Sequence, residues 1–118
     1  MRVLVSGSRV CIDYSRVLDR LRSLPSESII VQGGARGTDA LAKRAAAELN
    51  LGCETWEADW ERFGRSAGPI RNNAMLDSKP DLVLAFWDGR SPGTRHTITQ
   101  AHRRGIPVEI IKDNVIFL

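Results

Sequence analysis

Val31-Gln32-Gly33-Gly34-Ala35-Arg36-Gly37-Thr38-Asp39 decides how this chain of 118 residues is read. The apolar, β-branched run Ile29-Ile30-Val31 leads into it, and an alanine-rich stretch with helical spacing leads out. Between them stand three glycines and one arginine in five residues. A strand that ends in glycines and feeds a helix exposes backbone N–H groups where an anion can approach. Glycine allows positive φ and leaves room for a ligand against the main chain. Thr38 has the chemistry of an N-cap, and Asp39 suits the first helical turn. A tight connection whose glycines serve only the turn is the competing reading. Two further junctions of the same kind tip the balance toward a ligand.

The first is Ser6-Gly7-Ser8-Arg9, which follows the apolar strand Val3-Leu4-Val5. The other is Asp88-Gly89-Arg90-Ser91-Pro92-Gly93-Thr94, which follows the clearest central strand, Leu82 to Trp87. Cys53 to Trp56 reads as a weaker edge strand, interrupted by Glu54, and Val108 to Ile111 as a fifth strand. Helical spacing is expected from about Asp13, from Thr38 to about Asn50, from Pro69 to about Ser78, and over the segment carrying Ile98 and Ala101 up to Gly105. Ala58 to Gly68 shows no clean period and reads as a long loop with at most one helical turn. Strands alternating with helices, without hairpin signals, predict an α/β Rossmann-like, doubly wound, mostly parallel five-stranded sheet with helices on both faces. The chain is expected to form one domain over 1–118.

Composition narrows the function classes. A hydrophobic fraction of 42% and a charged fraction of 26% are ordinary for a globular protein. No apolar run approaches a membrane span, and the N-terminus reads as a strand, so a cytoplasmic chain without membrane contact is expected. Cys11 and Cys53 lie far apart and fit no metal spacing. His96 and His102 lack acidic or thiol partners at ligand spacing, so they read as solvated or core histidines, and neither a metal nor a cofactor is expected. The net charge of +3 is mild. All but three of the 17 basic residues, however, are arginines, the better planar partners for phosphate.

In an open parallel sheet, ligands bind beyond the carboxyl ends of the strands at the switch in strand order. An order of 3-2-1-4-5 brings all three glycine junctions to one edge. The candidate ligand and phosphate contacts are therefore Gly7, Ser8, Arg9, Gly33, Gly34, Arg36, Gly37, Asp39, Gly93 and Thr94. Arg71 and Asn72 join them from the expected first turn of the helix that Pro69 opens. An arginine there opposes the helix dipole, which favours ligand contact over a structural role. Asp59 and Trp60 in the long loop are candidates to hydrogen-bond and stack on a base. For Trp60 a half-buried anchor of the loop is the equal alternative. No G-x-G-x-x-G follows the first strand, and no G-x-x-x-x-G-K-[ST] is present, so the familiar nucleotide-binding subclasses are not indicated.

Gly33-Gly34-Ala35-Arg36-Gly37-Thr38-Asp39-Ala40-Leu41-Ala42 resembles the G-x-A-x-G-x-D-x-x-A signature of the DNA-processing protein A family. Pro69-Ile70-Arg71-Asn72 is similar to that family's P-x-R-N. Arg71 to Met75 also resembles the R-x-x-x-M segment of the lysine-decarboxylase-like LONELY GUY phosphoribohydrolases. Ser91-Pro92-Gly93-Thr94 stands where their P-G-G-x-G-T-x-x-E motif is expected. Both belong to the SLOG superfamily. The arrangement of all these pieces most resembles its small stand-alone YspA/YpsA-like branch, nearly end to end. The resemblance implies binding or sensing of a nucleotide or nucleotide-derived phosphate ligand, with phosphate contacts from Gly93, Thr94 and Arg71. Two other functions remain open: nucleoside-phosphate N-glycosidic hydrolysis and single-stranded nucleic-acid binding. The hydrolase reading is weakened because Thr97 replaces the phosphoribohydrolase glutamate, and no catalytic residue is assigned. The apolar tail Val115–Leu118 raises the expectation of a homo-oligomer.

Overall fold

The computed structural model describes residues 1–9 and 13–112. Cys11 and the Val115–Leu118 tail lie outside the described residues. Five parallel strands form one sheet: β1 (Arg2–Gly7), β2 (Ile29–Gln32), β3 (Gly52–Thr55), β4 (Leu82–Trp87) and β5 (Val108–Lys112). Their order is β3-β2-β1-β4-β5, the order expected from the sequence. The helices are α1 (Tyr14–Arg22), α2 (Thr38–Glu48), α3 (Trp60–Phe63), α4 (Ala67–Asp77) and α5 (Pro92–Arg103). None is long and apolar enough to cross a membrane among the described residues.

Alternation along each strand sorts the core onto two faces. Val3, Val5, Ile30, Leu84 and Phe86 pack with Val17 and Leu21 of α1 and with Ala42, Ala45 and Ala46 of α2. Leu4, Val31 and Val83 face the other way, against Met75 and Leu76 of α4 and Ala101 of α5. Fully buried side chains such as Leu4, Leu21 and Leu84 contribute about 1.5–3 kcal/mol each. The alanines of α2 let that helix lie close to the sheet. Helical crossovers keep all five strands parallel, and this sets the strand-to-helix junctions on one edge.

Four local expectations need correction. Thr38 is not the N-cap of α2. Gly37 takes that position with φ 81°, and Thr38 is the first helical residue. Its hydroxyl donates instead to the Ser8 carbonyl at 2.8 Å, alongside its own N–H at 3.0 Å. Helix α2 ends at Glu48, with Asn50 at positive φ and Leu51 N–H closing onto the Ala46 carbonyl at 2.8 Å. That end falls short of the expected Asn50, and Gly52 already opens β3. The expected loop over Ala58–Gly68 is largely helical: α3, a 3₁₀ turn over Gly64–Ser66, and the start of α4. Helix α4 thus begins two residues before Pro69, which occupies its third position, where no intrahelical N–H bond is lost. Arg71 is consequently in the second turn.

Candidate functional site

Beyond the carboxyl ends of β1, β2 and β4 lies a cleft of three adjoining chambers, and Arg9 and Arg71 line all of them. The first chamber, about 390 Å³, opens where β1 and β4 part, between the Ser6-Gly7 end of β1 and Ser91 to Thr94 at the start of α5. Asp39, Arg71 and Asn72 close its other sides. The second, about 400 Å³, follows the glycine turn from Gly33 to Arg36 and reaches Glu57 and Trp60. The third, about 280 Å³, sits between α4 and α5, with Trp60, Asn72 and His96 in its wall.

The glycines are dictated by space. A Cβ on Gly7 would stand 2.5 Å from the Phe86 carbonyl oxygen and from Thr38 Oγ1. One on Gly37 would meet the Arg9 backbone at 2.5 Å, at a positive φ besides. These two glycines press the first and second junctions together. Ser8 contributes through its main chain. Its N–H donates to the Phe86 carbonyl at 3.1 Å, while its carbonyl receives both Thr38 bonds. Ser91 Oγ lies 3.3 Å from Ser8 Oγ and 3.1 Å from Asp88 Oδ2, tying in the third junction. Asp88 Oδ1 accepts the Arg90 and Ser91 N–H groups at 2.7 and 2.8 Å, which holds its carboxyl below the usual carboxylate range.

Gln32, wholly buried, secures the glycine turn from below. Its Oε1 accepts the Gly34 N–H at 2.6 Å and its Nε2 donates to Thr55 Oγ1 at 2.5 Å. Above it, Arg71 Nη1 donates to the Gly33 carbonyl at 2.5 Å and reaches the Trp56 carbonyl at 3.5 Å. Arg71 Nε donates to Asn72 Oδ1 at 3.0 Å. That bond fixes the Asn72 amide, because an arginine nitrogen can only donate. Asn72 Nδ2 therefore faces His96 Nδ1 at 3.4 Å and donates to it. The His96 ring is then neutral with its proton on Nε2, consistent with a pKa lowered by burial and by Arg104 and Arg103.

Burial also lowers the Arg71 pKa, with Arg9 acting in the same direction and Asp39 opposing. Asp39 is 9% exposed, and burial pushes its carboxyl above the usual range. The Ala35 N–H, at 3.2 Å, offsets this only in part, as do Arg71 and Arg9. Desolvation disfavours the charged form of each group, and their mutual attraction does not cancel it.

Of the residues singled out from sequence, Gly7, Arg9, Gly33, Gly34, Arg36, Asp39, Trp60, Arg71, Asn72, Gly93 and Thr94 line the cleft. Ser8 and Gly37 sit behind it. Asp59 lies apart: its carboxylate caps α3 through the Arg62 N–H at 3.1 Å. Trp60 is 52% exposed and lines the second and third chambers. His96, read from the sequence as a solvated or core histidine, instead lines the third chamber. Its Asn72 partner is 24 positions away on another helix, and no spacing rule announces such a pair.

The sequence model of the YspA, cpYpsA-related SLOG family matches residues 1–63, more than half of the chain. The chain belongs to this SLOG family. A relative of the SLOG chain, the Gene 61 protein of Mycobacterium phage D29, is 43% identical over 116 residues, covering 91% of this chain and 93% of that protein. Among solved structures, DNA processing protein A (DprA) from Streptococcus pneumoniae superposes with a TM-score of 0.81 at 21% identity. The match covers 98% of the SLOG chain and 51% of DprA, so the chain spans about half the length of that structure. At that identity the likeness establishes the fold.

Proposed function

We propose that the chain binds a nucleotide or nucleotide-derived phosphate ligand in the cleft at the carboxyl edge of its sheet. The observation that carries this reading is Arg71, half-buried and common to all three chambers, with its Nη2 in no hydrogen bond to the described residues. Desolvating a guanidinium is costly unless an anion meets it. Arg9 faces the same space, and the start of α5 adds backbone N–H groups near Gly93 and Thr94. The chamber volumes are of the size of small-molecule sites.

Binding is favoured over N-glycosidic hydrolysis because Thr97, where the phosphoribohydrolases carry glutamate, is buried. Its hydroxyl donates to the Gly93 carbonyl at 3.3 Å. A longer, single-stranded nucleic acid is the second reading. It draws on the exposed Trp60, which lines the cleft, and on the exposed Arg62, Phe63 and Arg65 that follow it in α3 and the 3₁₀ turn.

Calorimetric titration of Arg71 variants with nucleoside 5′-monophosphates tests the assignment. Arg71→Ala should weaken binding by about 1.5–3 kcal/mol, the range for a hydrogen bond to a charged group. Arg71→Lys should restore only part of it, lacking the planar fork. Arg71 also braces the Gly33 carbonyl, so the alanine variant should melt somewhat earlier than wild type. Early melting with unchanged affinity per folded molecule would make Arg71 purely structural and overturn the reading.

A further inference from the structure

In the chamber between β1 and β4 the charged side chains are Arg9, Arg71 and Asp39. The two arginines suit an anion, whereas a carboxylate beside them repels one. Asp39 is not consumed by the arginines. Among the described residues the ion pairs within 4 Å are Arg2–Glu54, Arg20–Glu109, Arg22–Asp19 and Arg104–Asp77, and Asp39 is in none of them. Its Oδ2 accepts the Ala35 N–H at 3.2 Å, which orients the carboxylate without neutralising it. Its place in the first turn of α2 and its bond from the Ala35 N–H do not cancel the cost of burial, which pushes its pKa up. A buried charge held at a cost in a cavity is a mark of a binding role.

An ionised carboxylate only accepts hydrogen bonds. A ligand that satisfies this chamber must therefore offer an anion to the arginines and, close to that anion, a donor to Asp39. In a nucleotide the part next to the phosphate is the sugar, and the base lies beyond it. We propose that Asp39 accepts a hydrogen bond from a sugar hydroxyl of the bound ligand, making the site selective for ribonucleotides over counterparts whose sugar has no free hydroxyl. The inference rests on the nucleotide-binding reading above and narrows its ligand class. It also disfavours DNA, whose interior sugars carry no free hydroxyl.

The test is calorimetry on the whole chain with the four ribonucleoside 5′-monophosphates and their 2′,3′-dideoxy counterparts. For the base that binds best, the ribose form should win by about ten- to a hundredfold, as expected for a hydrogen bond to a charged acceptor. Asp39→Asn should collapse that ratio from both sides. It weakens the ribose form and tightens the dideoxy form, because the negative charge beside the phosphate is gone. A merely structural role would shift both forms in the same direction. Should Asp39→Asn fail to fold, Asp39→Glu, which keeps the charge and moves it, must likewise change the ratio. Equal binding of ribose and dideoxy forms to wild type overturns the inference and leaves nucleotide binding standing. So does a preference that survives substitution at Asp39. Discrimination that follows the exocyclic amine, read with purine riboside 5′-monophosphate against adenosine 5′-monophosphate, assigns the donor to the base and overturns the hydroxyl assignment. If no monophosphate binds, both readings fall.

Discussion

Asp39 carries a stability cost with a definite sign. Its carboxyl is raised in the folded chain by burial, so over the interval between the ordinary carboxylate pKa and the raised one the folded state holds more protons than the unfolded state. Stability from this group is therefore greatest below the ordinary value and falls as pH rises through that interval. Asp39→Asn keeps an oxygen for the Ala35 N–H and removes the charge. Its melting temperature should exceed that of wild type at pH 7, and the gain should shrink as pH is lowered toward 4, as followed by circular dichroism. A variant less stable than wild type at pH 7 would mean that Arg71 and Arg9 already offset the buried charge. Arg71 shows the same tension from the opposite side. It is desolvated, yet only two of its nitrogens have hydrogen-bond partners among the described residues.

The junction of β1 with α2 is where element geometry and site geometry meet. Thr38 N–H and Oγ1 both bond to the Ser8 carbonyl, so the start of the helix is pinned to the turn after β1. Thr38→Val removes the hydroxyl bond while keeping shape and leaving the carbonyl its N–H partner. The loss should be about 0.5–1.5 kcal/mol in a urea melt, with the slope unchanged. No loss of stability would show that this bond does not hold the junction together. Strands and glycine turns were legible in the sequence because their signals are local: β-branched runs, glycines at strand ends, alanines where a helix approaches. The start of α4 was not. Pro69 reads as a first helical residue, but the 3₁₀ turn over Gly64–Ser66 runs straight into Ala67 and brings the start forward. The pairing of Asn72 with His96 escaped for a related reason, since it exists only once α4 packs on α5.

In the molecule as a whole, strand order does most of the work. The reversal between β1 and β4 separates the two helical layers, and the cleft opens at that point with two arginines shared among its chambers. Charge alone would not have located it, since the net charge is only +3. Under the proposed function this edge holds a discrete small nucleotide and does not track a polymer backbone. Measuring affinity for a nucleoside 5′-monophosphate and for a single-stranded oligonucleotide at 50 and 200 mM salt, roughly the range over which polyelectrolyte contacts weaken strongly, separates the two. Saturable one-to-one binding of the monophosphate is expected, with a shallow salt dependence set by the charge of one phosphate. Binding of the oligonucleotide alone, with an affinity that falls about a thousandfold or more across that range, would contradict it.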